Sequence, residues 1–136
     1  MSVSDAEARC ARLIEAARKS GADAADAIYI GDGSTGVQVR LGALEDVERS
    51  EGEEIGLRLF VGRRSASVSS SDLSKDALLA LVDRAVAMAR EAPEDPYSGL
   101  APEDRLLRGP GPDVCGDDGA DPAPTTLKAM ALEIEG

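Results

Sequence analysis

The sequence predicts an α+β domain: an antiparallel β-meander of about five strands with two helices packed on one face, in the order α-β-β-β-β-β-α. Three observations carry this reading. Apolar residues recur with a helical period near residues 10–17 and again near 78–89, while between those stretches they alternate with period two. The alternating runs are joined by only a few residues, too few for the crossovers that parallel strands need.

The first helix is expected from Ser4, which with Glu7 has the spacing of a capping box. Cys10, Leu13, Ile14 and Ala17 form its apolar stripe, Arg9, Arg12 and Lys19 stay in water, and Gly21 ends it in the left-handed conformation. Ala27-Ile28-Tyr29-Ile30 reads as a strand that stops in a turn at Gly31-Asp32-Gly33-Ser34. Val37, Val39 and Leu41 alternate with Gln38 and Arg40 as a half-buried strand requires, and Gly42-Ala43 turns the chain into a polar arm, Leu44 to Ser50, anchored by Val47. After Gly52, the alternation of Ile55, Leu57, Leu59 and Val61 is the clearest strand pattern. Gly62-Arg63 then turns into Arg64 to Ser69, with Ala66 and Val68 on one face. Ser74 is the expected N-cap of the second helix, with Leu73 and Leu78 spaced as a hydrophobic staple. Its stripe is Leu78, Leu81, Val82, Ala85 and Ala89, and Pro93 stops it near Ala92. One apolar stripe per helix and one apolar face per strand place both helices on the same side of the sheet.

Beyond Glu91 the character changes. Of the 17 residues from Arg108 to Pro124, four are Gly, four Pro and four Asp, with Val114 the one large apolar residue. Such a stretch buries too little to offset its ordering entropy, so 1–107 reads as the domain and 108–124 as a linker or extended segment. Residues 125–136 then read as a short helix with Leu127, Met130 and Ile134 on one face, the start of a helix that a longer protein would continue.

Composition narrows the chemistry. Aromatic residues are 2% of 136, so the core is aliphatic, and no uncharged apolar run approaches the roughly 20 residues that cross a bilayer. The first ten residues carry acids where a signal peptide has a basic start, and a cytoplasmic protein is expected, without a membrane partner. A formal charge of -11 repels phosphate backbones, which argues against nucleic acid. Cys10 and Cys115 read as two free thiols. There is no histidine, which removes the usual general base, the Ser-His and Cys-His pairs, and every imidazole zinc site. No catalytic or metal-binding residue, and no cofactor of its own, is assigned to this chain.

Four patterns invite function and lose to plainer readings. Residues 31–36 spell G-x-G-x-x-G, but Val37 to Leu41 reads as a strand where a dinucleotide site needs a helix, and Asp32 repels a phosphate; a hairpin turn is favoured. Asp113, Asp117, Asp118 and Asp121 resemble a calcium loop, but Gly119 breaks the alternation and Lys128 stands where the bidentate Glu belongs. Ser65, Ser67, Ser69, Ser70 and Ser71 have no activating base. Arg40, Glu45, Arg49 and Arg58 are the binding candidates, a charged patch on the outer sheet face, against the plainer reading of solvated ion pairs.

Val39-Arg40-Leu41-Gly42-Ala43-Leu44-Glu45, Ile55-Gly56-Leu57-Arg58, Ser69-Ser70-Ser71-Asp72-Leu73-Ser74 and Asp95-Pro96-Tyr97-Ser98-Gly99-Leu100, in that order, resemble the N-terminal domain of the TldD/PmbA (TldE) peptidase family, nearer its PmbA branch. Members are also known as modulators of DNA gyrase. The likeness spans about residues 10–105. It implies a cytoplasmic zinc metallopeptidase built from a TldD-like and a PmbA-like subunit, acting on unstructured peptides in peptide maturation and proteolysis. In that family the His-Glu-x-x-x-His motif belongs to the TldD-like subunit, so zinc is expected in the partner. The chain is then expected to be a non-catalytic scaffold, a natural truncation or a fragment, whose partner is a TldD-like subunit or a second copy. A peptide could add to a strand edge, for which Leu44 to Ser50 is the candidate. The alternatives are a free-standing peptide- or protein-binding module and the start of a catalytic TldD-like subunit.

Overall fold

The computed structural model describes residues 2–116 and 119–136. Its elements are α1 (Val3–Lys19), β1 (Ala24–Arg40), β2 (Ala43–Val61), β3 (Arg64–Ser70), α2 (Lys75–Glu91), a 3-10 turn (Glu103–Arg105) and α3 (Pro124–Glu135). The class is α+β, as expected, with one three-stranded sheet in the order β1-β2-β3. The chain divides into two units, Met1–Gly31 with Gly52–Leu106, and Asp32–Glu51 with Leu107–Gly136.

The expected five strands are three. Two breaks placed at glycines do not exist: β1 runs through Gly31, Gly33 and Gly36, and β2 runs through Gly52. None of these glycines has a positive φ. A glycine permits a turn but does not impose one, and here β1 and β2 are hydrogen-bonded neighbours in one sheet. The pairing is antiparallel, because partners on β1 ascend as those on β2 descend: Asp26 with Arg58, Tyr29 with Glu53, Thr35 with Arg49, Arg40 with Glu45. The turn between them is Leu41-Gly42, one residue earlier than expected, with φ of 52° and 74° at its two positions. Positive φ at both is the signature of a type I′ turn, whose twist matches that of the strands it joins. Leu41 is therefore a turn residue, 91% exposed, and not the third inward residue of a strand.

In the first unit, Ile55, Leu57 and Leu59 alternate along β2 and are fully buried, and Leu57 and Leu59 face Val68 and Ala66 of β3 across an antiparallel register. They share one cluster with Leu13 and Ala17 of α1, Ala25 of β1, and Val82, Ala85, Val86 and Ala89 of α2. Residues from both helices thus meet one face of the sheet, and the alanines let the helices approach it closely. β1 turns its small Ala25 and Ala27 to this core and leaves Ile28 and Ile30 exposed. Phe60, one step out of phase with Leu59, is buried on the opposite face beneath the Arg58 guanidinium, 5.5 Å from the ring centroid.

α1 starts two residues before the expected cap. Ser2 Oγ accepts the Asp5 N–H (3.2 Å) and donates to Asp5 Oδ2 (2.6 Å), while the Ala6 N–H reaches the Ser2 carbonyl. The earlier start gains a further hydrogen bond and puts the Asp5 carboxylate at the positive end of the helix dipole. At the other end Gly21 has φ 106°, with Gly21 N–H to the Arg18 carbonyl and Ala22 N–H to that of Ala17, a complete Schellman motif. α2 begins at the expected cap, Ser74 Oγ accepting the Ala77 N–H.

In the second unit, the outer parts of β1 and β2 accompany α3. The half-buried side of α3 is Leu127, Lys128, Ala131 and Leu132, while Met130 and Ile134 are exposed, so the helix is rotated from the expected Leu127-Met130-Ile134 face. Both Glu135 oxygens are engaged at the hairpin turn, which fixes that rotation. Val47 is 46% exposed and anchors nothing.

Candidate functional site

The residues that distinguish this sequence serve turns and caps. Ser70 Oγ accepts the Asp72 N–H (3.0 Å), Asp72 Oδ1 accepts the Ser74 N–H (2.9 Å), and Ser74 then caps α2, so Ser70, Asp72 and Ser74 form one relay from strand to helix. The Asp72 carboxyl is held below the ordinary aspartate range by that backbone N–H. Asp95 N–H donates to the Arg63 carbonyl (2.8 Å), Arg63 Nη1 donates to the Pro96 carbonyl (2.6 Å), and Asp95 Oδ1 accepts the Tyr97 N–H, clamping residues 95–98 onto the β2–β3 turn. At Gly56 a Cβ would stand 3.0 Å from Ile28 Cγ2, a close strand approach that explains the glycine.

The four binding candidates are dispersed. Arg40 and Glu45 face each other across the β1–β2 hairpin at 3.4 Å. Arg49, in the same unit, pairs with Glu51 at 2.5 Å and reaches Thr35 Oγ1 at 3.5 Å. Arg58, in the other unit, binds both oxygens of Asp26 through Nε and Nη2. All three arginines spend their charge on a neighbouring carboxylate at the surface, where such pairs contribute little. Nothing in the sequence singled out Asp26 or Glu135.

Leu44 to Ser50 lies in the middle strand, beyond the part of it that pairs with β3. β3 ends opposite Ile55, where Ser70 is the last partner, and every residue from Ala43 to Glu51 is exposed. Among the described residues no strand pairs with that stretch on the β3 side. Asp46 Oδ1 accepts the Val47 N–H (2.8 Å), a local bond that an added strand would have to displace.

Acid/base and metal chemistry find little here. Asp5, Glu15 and Asp72 are all held below their ordinary range, by the Ser2 hydroxyl, the Lys19 ammonium and the Ser74 backbone respectively, the wrong direction for a general acid. Among the described residues no three His, Cys, Asp or Glu side chains converge as metal ligands, and the donor set present does not fit zinc. Cys10 is half-buried, which pushes its thiol up, and Cys115 is exposed. Of the acidic loop, Asp117 and Asp118 lie outside the described residues, and Asp113 Oδ1 accepts the Cys115 N–H. Residues 31–36 are strand rather than the expected turn, with no helix to receive a phosphate.

In α1, Arg9 and Arg12 were legible only as wet residues beside the stripe. The structure gathers them with Lys75 around a groove of about 590 Å³. No helix among the described residues is long and apolar enough to cross a membrane.

Residues 25–89 match the family model of PmbA/TldA metallopeptidase domain 1. A metalloprotease PmbA homolog of Haemophilus influenzae is 32% identical over 122 residues, covering 90% of this chain and 27% of that protein. The metalloprotease PmbA of Escherichia coli O157:H7 is 35% identical over 75 residues, covering 54% of this chain and 17% of its own length. The chain thus spans at most about a quarter of these relatives. The fold matches a crystal structure described as a modulator of DNA gyrase from Bacteroides thetaiotaomicron, with a TM-score of 0.74 at 21% identity over 83% of this chain and 25% of that one. It also matches TldE of Thermococcus kodakarensis, with a TM-score of 0.60 at 17% identity over 77% of this chain and 24% of that one. With a shared first domain and PmbA relatives, the chain belongs to the TldD/PmbA family, as an N-terminal domain.

Proposed function

We propose that this chain is the N-terminal domain of a PmbA/TldE-like, non-catalytic subunit in a zinc metallopeptidase complex, where it acts as scaffold and helps to shape a chamber for unstructured peptides. The observation that carries the reading is a chain with PmbA relatives and no histidine among its 136 residues, so that imidazole metal ligands for peptide-bond cleavage come from outside these residues, which in this reading is the partner subunit. The partner is then TldD-like and brings the zinc. That no described strand pairs with Leu44 to Ser50 on its β3 side supports the peptide role, because strand addition recognises backbone and suits substrates without a fixed sequence.

Co-expression with a TldD-like protein tests this. The pair is expected to co-purify with zinc bound to the partner and to hydrolyse an unstructured peptide, while the chain alone with added zinc leaves it intact. Hydrolysis by the isolated chain would instead favour a catalytic TldD-like role. Failure to associate, with the chain a stable lone monomer, would favour a free-standing binding module.

A further inference from the structure

Three cations meet around an apolar floor in a chain of net charge -11. Arg9 and Arg12 project from α1 and Lys75 opens α2, and between them Leu13, Leu78 and Leu79 line the groove. Leu13 is buried and belongs to the core, while Leu79 is 46% exposed at the lip. Arg9 Nη1 donates to the Leu73 carbonyl (3.2 Å), which ties the rim to the start of α2, and Arg12 Nε donates to its own helix at the Ala8 carbonyl. Among the described residues none of the three forms an ion pair. The Asp5 carboxyl feels Arg9 electrostatically but is satisfied first by the Ser2 hydroxyl.

We infer that this groove docks an acidic amphipathic helix of a partner polypeptide, its leucine-type side chains on Leu13, Leu78 and Leu79 and its carboxylates on Arg9, Arg12 and Lys75. The wall geometry is that of two helices presenting a furrow, which a third helix fills through residues spaced i, i+3, i+4 and i+7. Charge selects the occupant: the chain's overall field repels an anionic partner everywhere except where uncompensated cations gather, so an acidic helix is steered to this site. An anionic membrane would face the whole negative surface and not the groove alone. This reading does not depend on the peptidase assignment.

The test titrates the isotope-labelled chain with a synthetic 16-residue amphipathic peptide carrying Glu on its polar face and Leu on its apolar face, alongside the same peptide with Lys for Glu. Amide shifts are expected at residues 9, 12, 73, 75, 78 and 79 with the Glu peptide only. Affinity should weaken severalfold from low to about 0.3 M salt, where the Debye length shrinks to a few ångströms. R12E/K75E, two exposed changes that leave the core intact, should weaken binding by about tenfold or more, with an unchanged amide spectrum elsewhere in the free protein. No binding, binding of the Lys peptide as tightly, shifts confined to other residues, or an unaffected R12E/K75E variant would each overturn the inference.

Discussion

Glu135 and Leu41 stand 94 positions apart in the chain, and the Leu41 N–H donates to the Glu135 carboxylate at 2.6 Å while Gly42 N–H takes the other oxygen at 3.0 Å. One side chain at the end of α3 therefore satisfies both donors of a type I′ turn. Glu135→Ala removes both acceptors. Hydrogen bonds to a charged group contribute roughly 1.5–3 kcal/mol, and solvent exposure brings this pair to about 1 kcal/mol. Amide exchange at Leu41 and Gly42 should accelerate severalfold in Glu135→Ala, with Leu57 and Leu59 unaffected. Unchanged rates at the turn would show that the clamp does not hold in solution.

Leu41 itself is misplaced by its own chemistry. A non-glycine residue at φ 52° costs roughly 1–2 kcal/mol, and asparagine tolerates that region far better than leucine. Leu41 is almost wholly exposed, so its side chain returns little by burial. Leu41→Asn is expected to stabilise the hairpin by about 0.5–1 kcal/mol, read as slower exchange at the amides flanking the turn. Leu41→Val, β-branched at the same φ, should move the same amides the other way.

The two thiols should separate by rate. Burial pushes the Cys10 thiol up and shields it, whereas Cys115 is exposed. Because the thiolate is the nucleophile, an aromatic disulfide reagent should modify Cys115 within the mixing phase and Cys10 only slowly, at a rate that rises with denaturant. Equal rates would mean that α1 opens as readily as the loop.

The pH dependence can be tested on each side, through Asp72 in acid and Tyr29 in alkali. Asp72 is held below its ordinary 3.8, so below that value the unfolded chain binds the proton first. Its contribution is complete above about pH 4 and is lost as pH falls through the folded value. Asp72→Asn should therefore flatten the acid limb of stability. Tyr29 is shifted the opposite way, raised above 10 because its hydroxyl donates to the Glu53 carboxylate at 2.7 Å. That contribution is present below pH 10 and disappears as pH rises through the folded value, so Tyr29→Phe should flatten the alkaline limb. Urea midpoints from pH 2 to 5 and from pH 9 to 11 measure both.

What the sequence disclosed follows from the range of the interactions. The stripes of α1 and α2, the Ser74 cap, the Gly21 stop and the Gly62-Arg63 turn are set by residues within a few positions of one another, and all are found. The length of β1 is not local: whether residues 31–36 turn or continue depends on β2 residues such as Ser50 and Glu51, which approach Gly33 from 17 and more positions away. The rotation of α3 depends on Leu41 and Gly42 in the same way. The groove cations were visible as residue types, but their convergence needed the packing of α1 on α2.

Gly36 turns that lesson into a measurement. In a turn its lack of a side chain would be indispensable; in a strand it is a weakness, because glycine has the most backbone entropy to lose and nothing to pack. Its φ is not positive, and a Cβ built there meets nothing within 4 Å. Valine prefers the extended backbone that β1 imposes, and it narrows the unfolded ensemble as well. Gly36→Val is therefore expected to stabilise the β1–β2 hairpin by about 0.5–1 kcal/mol, seen as increased protection of its amides and a raised urea midpoint. A loss of stability of that size or more would mean that residues 31–36 bend after all, and that the meander has more strands than three.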